Sequence, residues 1–380
     1  MQRLRFSALA LIATSALMPV LFFSLPRKDY SATERRYLEE PPAVTAEGLL
    51  HGELSEKFED YLADHFPGRN LFVGVNAYWN LLTGRNAAGE VYHCARDFLI
   101  AAPKDCATEQ LITNLERFDR FAERVNLPAT LLMIPTVGDV VIDVLPRVHA
   151  PYRYKECLPL AQAFPHLRVP DLQEELLSHY SGDSNYPASD DAPFYRTDHH
   201  LNSRGCYLVY SAFCKLWGLE PLPPGAYTVN RYDGFRGSAW TSSGYWLTPS
   251  ETLETWDSGA PLHITIEEAG EETIVADSPF FTENLQSDDM YTVFLDGNHA
   301  LVRIENPDAV GKGKLLLVRD SYGHCLAPFL ASEYEEIILV DLRYYRWPVS
   351  ALIDQYGITE LGFAYGLDNL LTDTNSAWLD

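Results

Sequence analysis

Residue types that can do chemistry stand in two segments, with 123 positions from Asp198 to Ser321 (321 − 198): an acid and an imidazole in Thr197-Asp198-His199-His200, and a serine in Arg319-Asp320-Ser321-Tyr322-Gly323. The serine follows the apolar run Leu315-Leu316-Leu317-Val318, so it falls on a strand-to-helix turn. An unassisted serine hydroxyl is a poor nucleophile near neutral pH; a base must take its proton and an acid must hold that base in one tautomer. Asp198 and His200, two apart on an extended or turning segment, can share a face, and the ring can then reach Ser321. His199 would point the other way. The helix after Ser321 would offer the N–H groups of Tyr322 and Gly323 to a developing oxyanion. Asp198, His199 and His200 also have a divalent-metal ligand composition, and Asp and Ser after a strand are favoured helix caps. The residue types alone leave nucleophilic catalysis, a metal site and plain capping open.

The elements around these residues alternate helix and strand. Spacings of three and four from Leu54 to Leu82 predict two short helices broken at Pro67-Gly68, leading into the main domain. A hairpin is expected over Glu90–Ala102 and an amphipathic helix over Thr108–Asn126, with Leu111, Leu115, Phe118 and Phe121 on one face. Ala129–Pro135 reads as a strand covered on both sides, His166–Asp171 as a shorter one, and Leu172–Tyr180 and Asn202–Trp217 as helices. Residues 218–313 change character; alternating runs at Leu262–Ile266 and Tyr291–Leu295 predict strands of a β-rich insertion or cap. From Lys314 the alternation resumes: strand, Ser321 turn, helix to about Tyr334, strand Ile337–Val340, helix Val349–Tyr356 and strand Glu360–Ala364. This pattern predicts an α/β fold, a doubly wound parallel sheet whose active groups gather at the carboxyl ends of strands.

With 47% hydrophobic and 12% aromatic residues the chain is globular, and a net charge of −24, from 29 basic against 53 acidic residues, excludes nucleic acid as a partner. Phe6 to Leu25 holds no charge in twenty positions, about 30 Å of helix, which predicts an N-terminal membrane anchor over residues 1–28 rather than a cleaved signal; either places the rest outside the cytoplasm. Residues 29–53, with Pro41-Pro42, read as an extended tether, and 54–380 as the α/β domain. Six cysteines permit disulfides in an exported chain. Cys94 and Cys106 could close a hairpin, whereas Cys206 and Cys214, eight apart in one helix, are about 12 Å apart and out of reach.

Five blocks in one order resemble the DHHW family of exported bacterial proteins, relatives of the SGNH-hydrolase-like proteins that O-acetylate alginate and bacterial cellulose. They are Phe58 with Asp64-His65-Phe66-Pro67-Gly68-Arg69; Thr197-Asp198-His199-His200-Leu201-Asn202; Phe294-Leu295-Asp296-Gly297-Asn298-His299; Arg319-Asp320-Ser321-Tyr322-Gly323 with Pro328-Phe329-Leu330; and Asp341-Leu342-Arg343-Tyr344-Tyr345. The resemblance runs from about Phe58 to Asn375, with Leu201 where the family has tryptophan. It implies an SGNH-hydrolase-like (flavodoxin-like) sheet, Ser321 as nucleophile, His200 as base and Asp198 as its partner. It implies an O-acetyltransferase or esterase acting on an extracytoplasmic carbohydrate polymer or glycan, served by a membrane-bound acyl-transport protein, with no metal or cofactor. Asn298 is a candidate oxyanion donor, though a Gly-Asn pair also forms tight turns. Arg343 could bind a sugar group, or pair with Asp341. His324 reads as a packing residue. The alternatives are a carbohydrate-binding scaffold without turnover, and a metal-dependent hydrolase using Asp198, His199 and His200.

Overall fold

The computed structural model describes residues 16–43, 53–180, 192–267 and 272–379. The chain divides into two compact units, Met1–Gly89 with Thr241–Trp246, and Glu90–Trp240 with Leu247–Asp380.

In the first unit residues 16–24 are helical. Of the anchor expected over 1–28, residues 1–15 lie outside the described residues; among the described residues no helix is long and apolar enough to cross a membrane. The expected tether is not simply extended: β1 (Tyr30–Ser31) pairs antiparallel with β2 (Arg36–Tyr37), while 44–52 fall outside the described residues. Arg36 fastens this hairpin by donating to Glu34 Oε2 and Asp64 Oδ2, each at 2.8 Å. Asp64 ends the helix Glu53–Asp64, and the helix Arg69–Leu82 follows the Pro67-Gly68 break at which the apolar spacing is interrupted. That second helix buries its small residues Gly74 and Ala77. The short strand β3 (Ala87–Ala88) comes after it.

The second unit opens with the antiparallel pair β4 (Val91–His93) and β5 (Leu99–Ala101). No bridge joins its flanking cysteines: Cys94 Sγ faces Tyr92 O at 3.7 Å and Cys106 Sγ faces Lys104 O at 3.8 Å, and all six thiols are free. The helix Glu109–Val125 buries Leu111, Leu115, Phe118 and Phe121 as its spacing requires, and β6 (Ala129–Ile134) is buried at every position. β7 (Leu167–Arg168) and the helix Leu172–His179 follow. The helix Ser203–Trp217 begins directly after the Asp-His-His segment because Asn202 Oδ1 accepts from Gly205 N at 3.0 Å, a polar cap for an otherwise unpaired donor. β8 (Thr228–Phe235) and β9 (Glu251–Asp257) form a separate hairpin. The remaining strands are β10 (His263–Glu267), β11 (Ile274–Ala276), β12 (Leu301–Glu305), β13 (Lys314–Arg319), β14 (Glu336–Val340) and β15 (Glu360–Gly366).

Eight strands make one mixed sheet in the order β11-β10-β12-β14-β13-β15-β6-β7. From β14 to β7 the pairings are parallel; β12, β10 and β11 join antiparallel. The insertion therefore does not stand apart as a cap, as expected, and the sheet is not wholly parallel. β14 is buried throughout, so its open edge needs a partner, and β12 supplies one with Val302 opposite Leu339. Leu316, Val318, Ile338, Val340, Leu361 and Phe363 pack on one face of the sheet beneath the helices Glu109–Val125 and Tyr154–Gln162. Phe118 stacks on Phe363 at 4.3 Å, and burying a side chain of that size contributes roughly 1.5–3 kcal/mol. The alternate residues Leu315, Leu317, Ile337 and Leu339 are buried too, so both faces are covered.

Two further expectations change. Tyr291–Leu295 is not a strand but a 3-10 turn over Met290–Val293, since Leu295 (φ 54°) and Asp296 (φ 58°) are left-handed, a conformation that ends extended pairing. The helix after Ser321 spans Tyr322–Leu330 and stops short of Tyr334.

Candidate active site

Ser321 follows Asp320 at the carboxyl end of β13 and precedes the helix Tyr322–Leu330. Asp320 fixes the turn: its Oδ1 accepts from Tyr322 N at 3.0 Å, and its Oδ2 from Gly366 N at 2.8 Å and Asn369 Nδ2 at 2.7 Å. Beneath the turn the wholly buried Arg319 donates from Nη1 to His324 Nε2 at 2.6 Å and to Asp341 Oδ2 at 3.1 Å. Burial and the neighbouring guanidinium hold His324 well below the usual imidazole range, so it stays neutral and accepts that bond. Gly323 is where Arg319 passes: a Cβ there would lie 2.9 Å from Arg319 Cβ and Cγ.

The Asp-His-His segment is a series of bends rather than an extended strand. Glu251 sets its path by accepting from Arg196 N, Thr197 N and Thr197 Oγ1 at 2.8, 2.8 and 2.6 Å. Burial raises the Glu251 carboxyl, and these donors oppose that rise. Asp198 is buried, with Oδ1 accepting from His200 N at 2.8 Å and lying 2.6 Å from His200 Nδ1, and Oδ2 accepting from Ser238 N at 2.6 Å. Burial alone would raise its carboxyl; His200, His199 and the Ser238 N–H outweigh it and hold Asp198 well below the usual carboxylate range. An ionised carboxylate only accepts, so Nδ1 of His200 carries the proton and Nε2 is the acceptor. Ser321 Oγ lies 2.7 Å from that Nε2. Acid, imidazole and hydroxyl thus form one hydrogen-bonded line.

Other side chains complete this line, and of these Tyr291, Gly237 and Glu251 have no readable signature in the sequence. Tyr291 lies flat against the His200 ring, and Tyr322 meets the same ring edge-on at 5.2 Å, while its hydroxyl donates to His199 O at 2.8 Å. Gly237 gives Asp198 room, since a Cβ there would stand 2.1 Å from Asp198 Cβ. A Gly-Ser pair in a polar insertion looks like any turn, and Glu251 and Tyr291 sit in segments whose pattern marks only strand or loop.

The geometry corrects several expectations. His199 does not point away: its ring lies 3.8 Å from that of His200, its Nδ1 2.6 Å from Ser238 Oγ and 3.4 Å from Asp198 Oδ1, and 43% of its side chain meets solvent. Bends, unlike an extended strand, bring neighbouring residues to one side. The Tyr322 N–H is taken by Asp320 Oδ1, and the Gly323 N–H by Asp320 O at 3.0 Å, so neither is a spare donor for an oxyanion. Among the described residues no acceptor meets the N–H of Ser321 itself. Asn298 is exposed and uses Oδ1 to accept from Arg343 Nη2 at 2.9 Å. Arg343 spends Nε and Nη2 on Asp341 at 2.9 and 2.6 Å, the salt bridge that was the alternative to a sugar contact. Asp198, His199 and His200 present ligand atoms within 4.8 Å of one another, but those atoms already bond to each other and to Ser238 and Ser321. A cation would have to displace these bonds.

A hydroxyl at the end of a parallel strand, addressed by an Asp-oriented imidazole from a distant loop, defines an α/β protein with the geometry of a serine nucleophile. Residues 187–340 match the family model described as DHHW protein. The relation to DHHW proteins implied by the motifs is therefore shown. No curated protein matches the chain. A DHHW family protein from Eubacterium siraeum DSM 15702 shares the fold at 18% identity and a TM-score of 0.64, over 76% of this chain and 94% of that one. The structure of Bacillus cereus PatB1 with sulfonyl adduct does so at 18% identity and a TM-score of 0.61, over 75% and 98%.

Proposed function

We propose that the chain is an SGNH-hydrolase-like O-acetyltransferase or esterase that carries an acyl group on Ser321 and acts on carbohydrate outside the cytoplasm. The observation that carries the reading is the continuous line Asp198 Oδ1, His200 Nδ1, His200 Nε2, Ser321 Oγ, with contacts of 2.6 and 2.7 Å. The Ser321 proton passes to His200 Nε2 as Oγ attacks the ester carbonyl carbon. The resulting imidazolium is held by Asp198, and the leaving alcohol takes the proton back as the C–O bond breaks. A sugar hydroxyl or water then gives its proton to the same nitrogen and attacks the acyl-serine, restoring the serine hydroxyl as the acyl group departs. The N–H of Ser321, which meets no acceptor among the described residues, is the donor offered to the developing oxyanion. The carbohydrate class rests on the DHHW relation, whose resemblance implies polysaccharide O-acetylation.

The test is covalent labelling. A sulfonyl fluoride, chosen because PatB1 carries a sulfonyl adduct, should modify wild type at Ser321 and leave Ser321→Ala untouched. Wild type should also release acetate from a chromogenic ester, and Ser321→Ala should not. A wild type that is neither labelled nor active, yet binds glycans as well as Ser321→Ala does, would make the chain a binding scaffold and end the proposal.

A further inference from the structure

His199 and His200, both in the second unit, turn their rings to the same oxygen. Asp198 Oδ1 lies 3.4 Å from Nδ1 of His199 and 2.6 Å from Nδ1 of His200, and the ring centroids are 3.8 Å apart with planes tilted by 37°. On a five-membered ring Nε2 stands nearly opposite Nδ1, so both Nε2 atoms face away from Asp198 and toward the same side. That is the side of Ser321, whose Oγ meets His200 Nε2 at 2.7 Å. Among the described residues nothing bonds to His199 Nε2, and 43% of the His199 side chain meets solvent against 8% for His200.

The engaged nitrogen of His199 decides what the open one can do. Burial, then the neighbouring His200, pull His199 down to about 4 against the raising influence of Asp198, so near neutral pH the ring has a single N–H. Its Nδ1 looks onto two oxygens, Ser238 Oγ at 2.6 Å and the ionised Asp198 Oδ1. A lone pair aimed at a carboxylate is repelled and an N–H is attracted, so the proton belongs on Nδ1 and Nε2 is a bare acceptor. Two acceptor nitrogens thus stand side by side where a reacting alcohol has to come. One hydroxyl fills His200 Nε2. A second hydroxyl on the adjacent carbon reaches His199 Nε2, and a simple alcohol has none to offer. We propose that His199 selects the acyl acceptor, its Nε2 accepting a hydrogen bond from the hydroxyl beside the one that attacks, and that the acceptor is therefore a vicinal diol, as on a sugar ring. His199 takes no proton in the step. The attacking hydroxyl gives its proton to His200 Nε2, that proton passes to Ser321 Oγ as the acyl-serine bond breaks, and the neighbouring hydroxyl keeps its own. The proposal rests on the acyl-serine reading and names the acceptor within it.

Competition between acceptors tests it. Wild type charged from a chromogenic acetyl ester should transfer acetyl to trans-cyclohexane-1,2-diol at least about fivefold more often than to cyclohexanol at equal hydroxyl concentration, roughly the effect of one hydrogen bond. In His199→Phe, which keeps a ring against His200 but has no acceptor, the ratio should fall to within about twofold of unity. A wild type without the preference overturns the proposal, and that measurement needs no variant. So does a variant that is slowed equally toward diol, alcohol and water, because His199 then only holds Asp198 in place. Intact mass of the enzyme during turnover separates the two readings. Acetyl on Ser321 without a diol preference removes the role of His199 alone, whereas no acetyl on Ser321 removes the acyl-serine reading and this proposal with it.

Discussion

Tyr291 lies against His200 with ring centroids 4.0 Å apart and planes 9° apart, and among the described residues no hydrogen-bond partner meets its buried hydroxyl. The ring therefore acts by shape, setting the plane in which the imidazole swings. Tyr291→Phe should keep full activity and raise stability by up to about 1 kcal/mol, because an unpaired buried hydroxyl is removed. Tyr291→Ala should cost about 3–5 kcal/mol through the cavity it leaves and lower turnover at least about tenfold as His200 loosens. Denaturant unfolding and ester hydrolysis, measured on both variants, check the contrast; equal loss in the two would mean that the hydroxyl matters.

Asp198→Asn should retain the fold and lower kcat by about 10³- to 10⁴-fold, since an amide that donates to Nδ1 turns His200 to the tautomer whose Nε2 carries a proton and cannot take another. Steady-state kinetics on an activated acetyl ester supply the measurement. A loss below about tenfold would remove Asp198 from the line.

Gly237→Ala tests the supporting wall. Its methyl group would meet Asp198 Oδ2 at 2.2 Å, so the carboxylate or its backbone has to shift. Overpacking of this kind costs about 1–3 kcal/mol, and the displaced carboxylate should lower kcat more than about 100-fold while KM changes little. A crystal structure of the variant with Asp198 unmoved, or kinetics unchanged, would refute this role for Gly237.

Sequence spacing made the acid, base and nucleophile readable because each needs its own residue type, and it made β6, β13 and the helix Glu109–Val125 readable because burial imposes a period. It could not reveal which way His199 turns, since that depends on bends held by Glu251 from 52 positions beyond His199 (251 − 199). Nor could it show that Asp320 consumes the N–H groups of Tyr322 and Gly323, because an N-cap and an oxyanion donor look alike until the acceptor is seen. The run Tyr291–Leu295 alternates like a strand, but its apolar side chains instead fill space around His200 and Phe280. The mixed sheet followed the same logic: local alternation announces a strand, while its partner is chosen by whichever edge lies open.

Asp368 gives a pH signature. Burial, and then Asp139, raise its carboxyl to about 6, with Lys104 opposing. A folded value above the unfolded one favours the fold while the carboxyl is protonated, so this stabilisation is complete below about pH 4 and is lost as the pH rises through about 6. Asp368→Asn should therefore match wild type near pH 4 and exceed it by about 1–3 kcal/mol at pH 8. Urea titrations at the two pH values decide it; a variant less stable than wild type at pH 8 would show that the ionised carboxylate is favourable where it sits.

Both rims of the eight-stranded sheet are stubs, three residues in β11 and two in β7. A foreign chain arriving at either end finds only a couple of backbone groups to grip, too few to zip up as a ninth strand. The largest sheet thus offers no long free margin on which fibril growth could be templated.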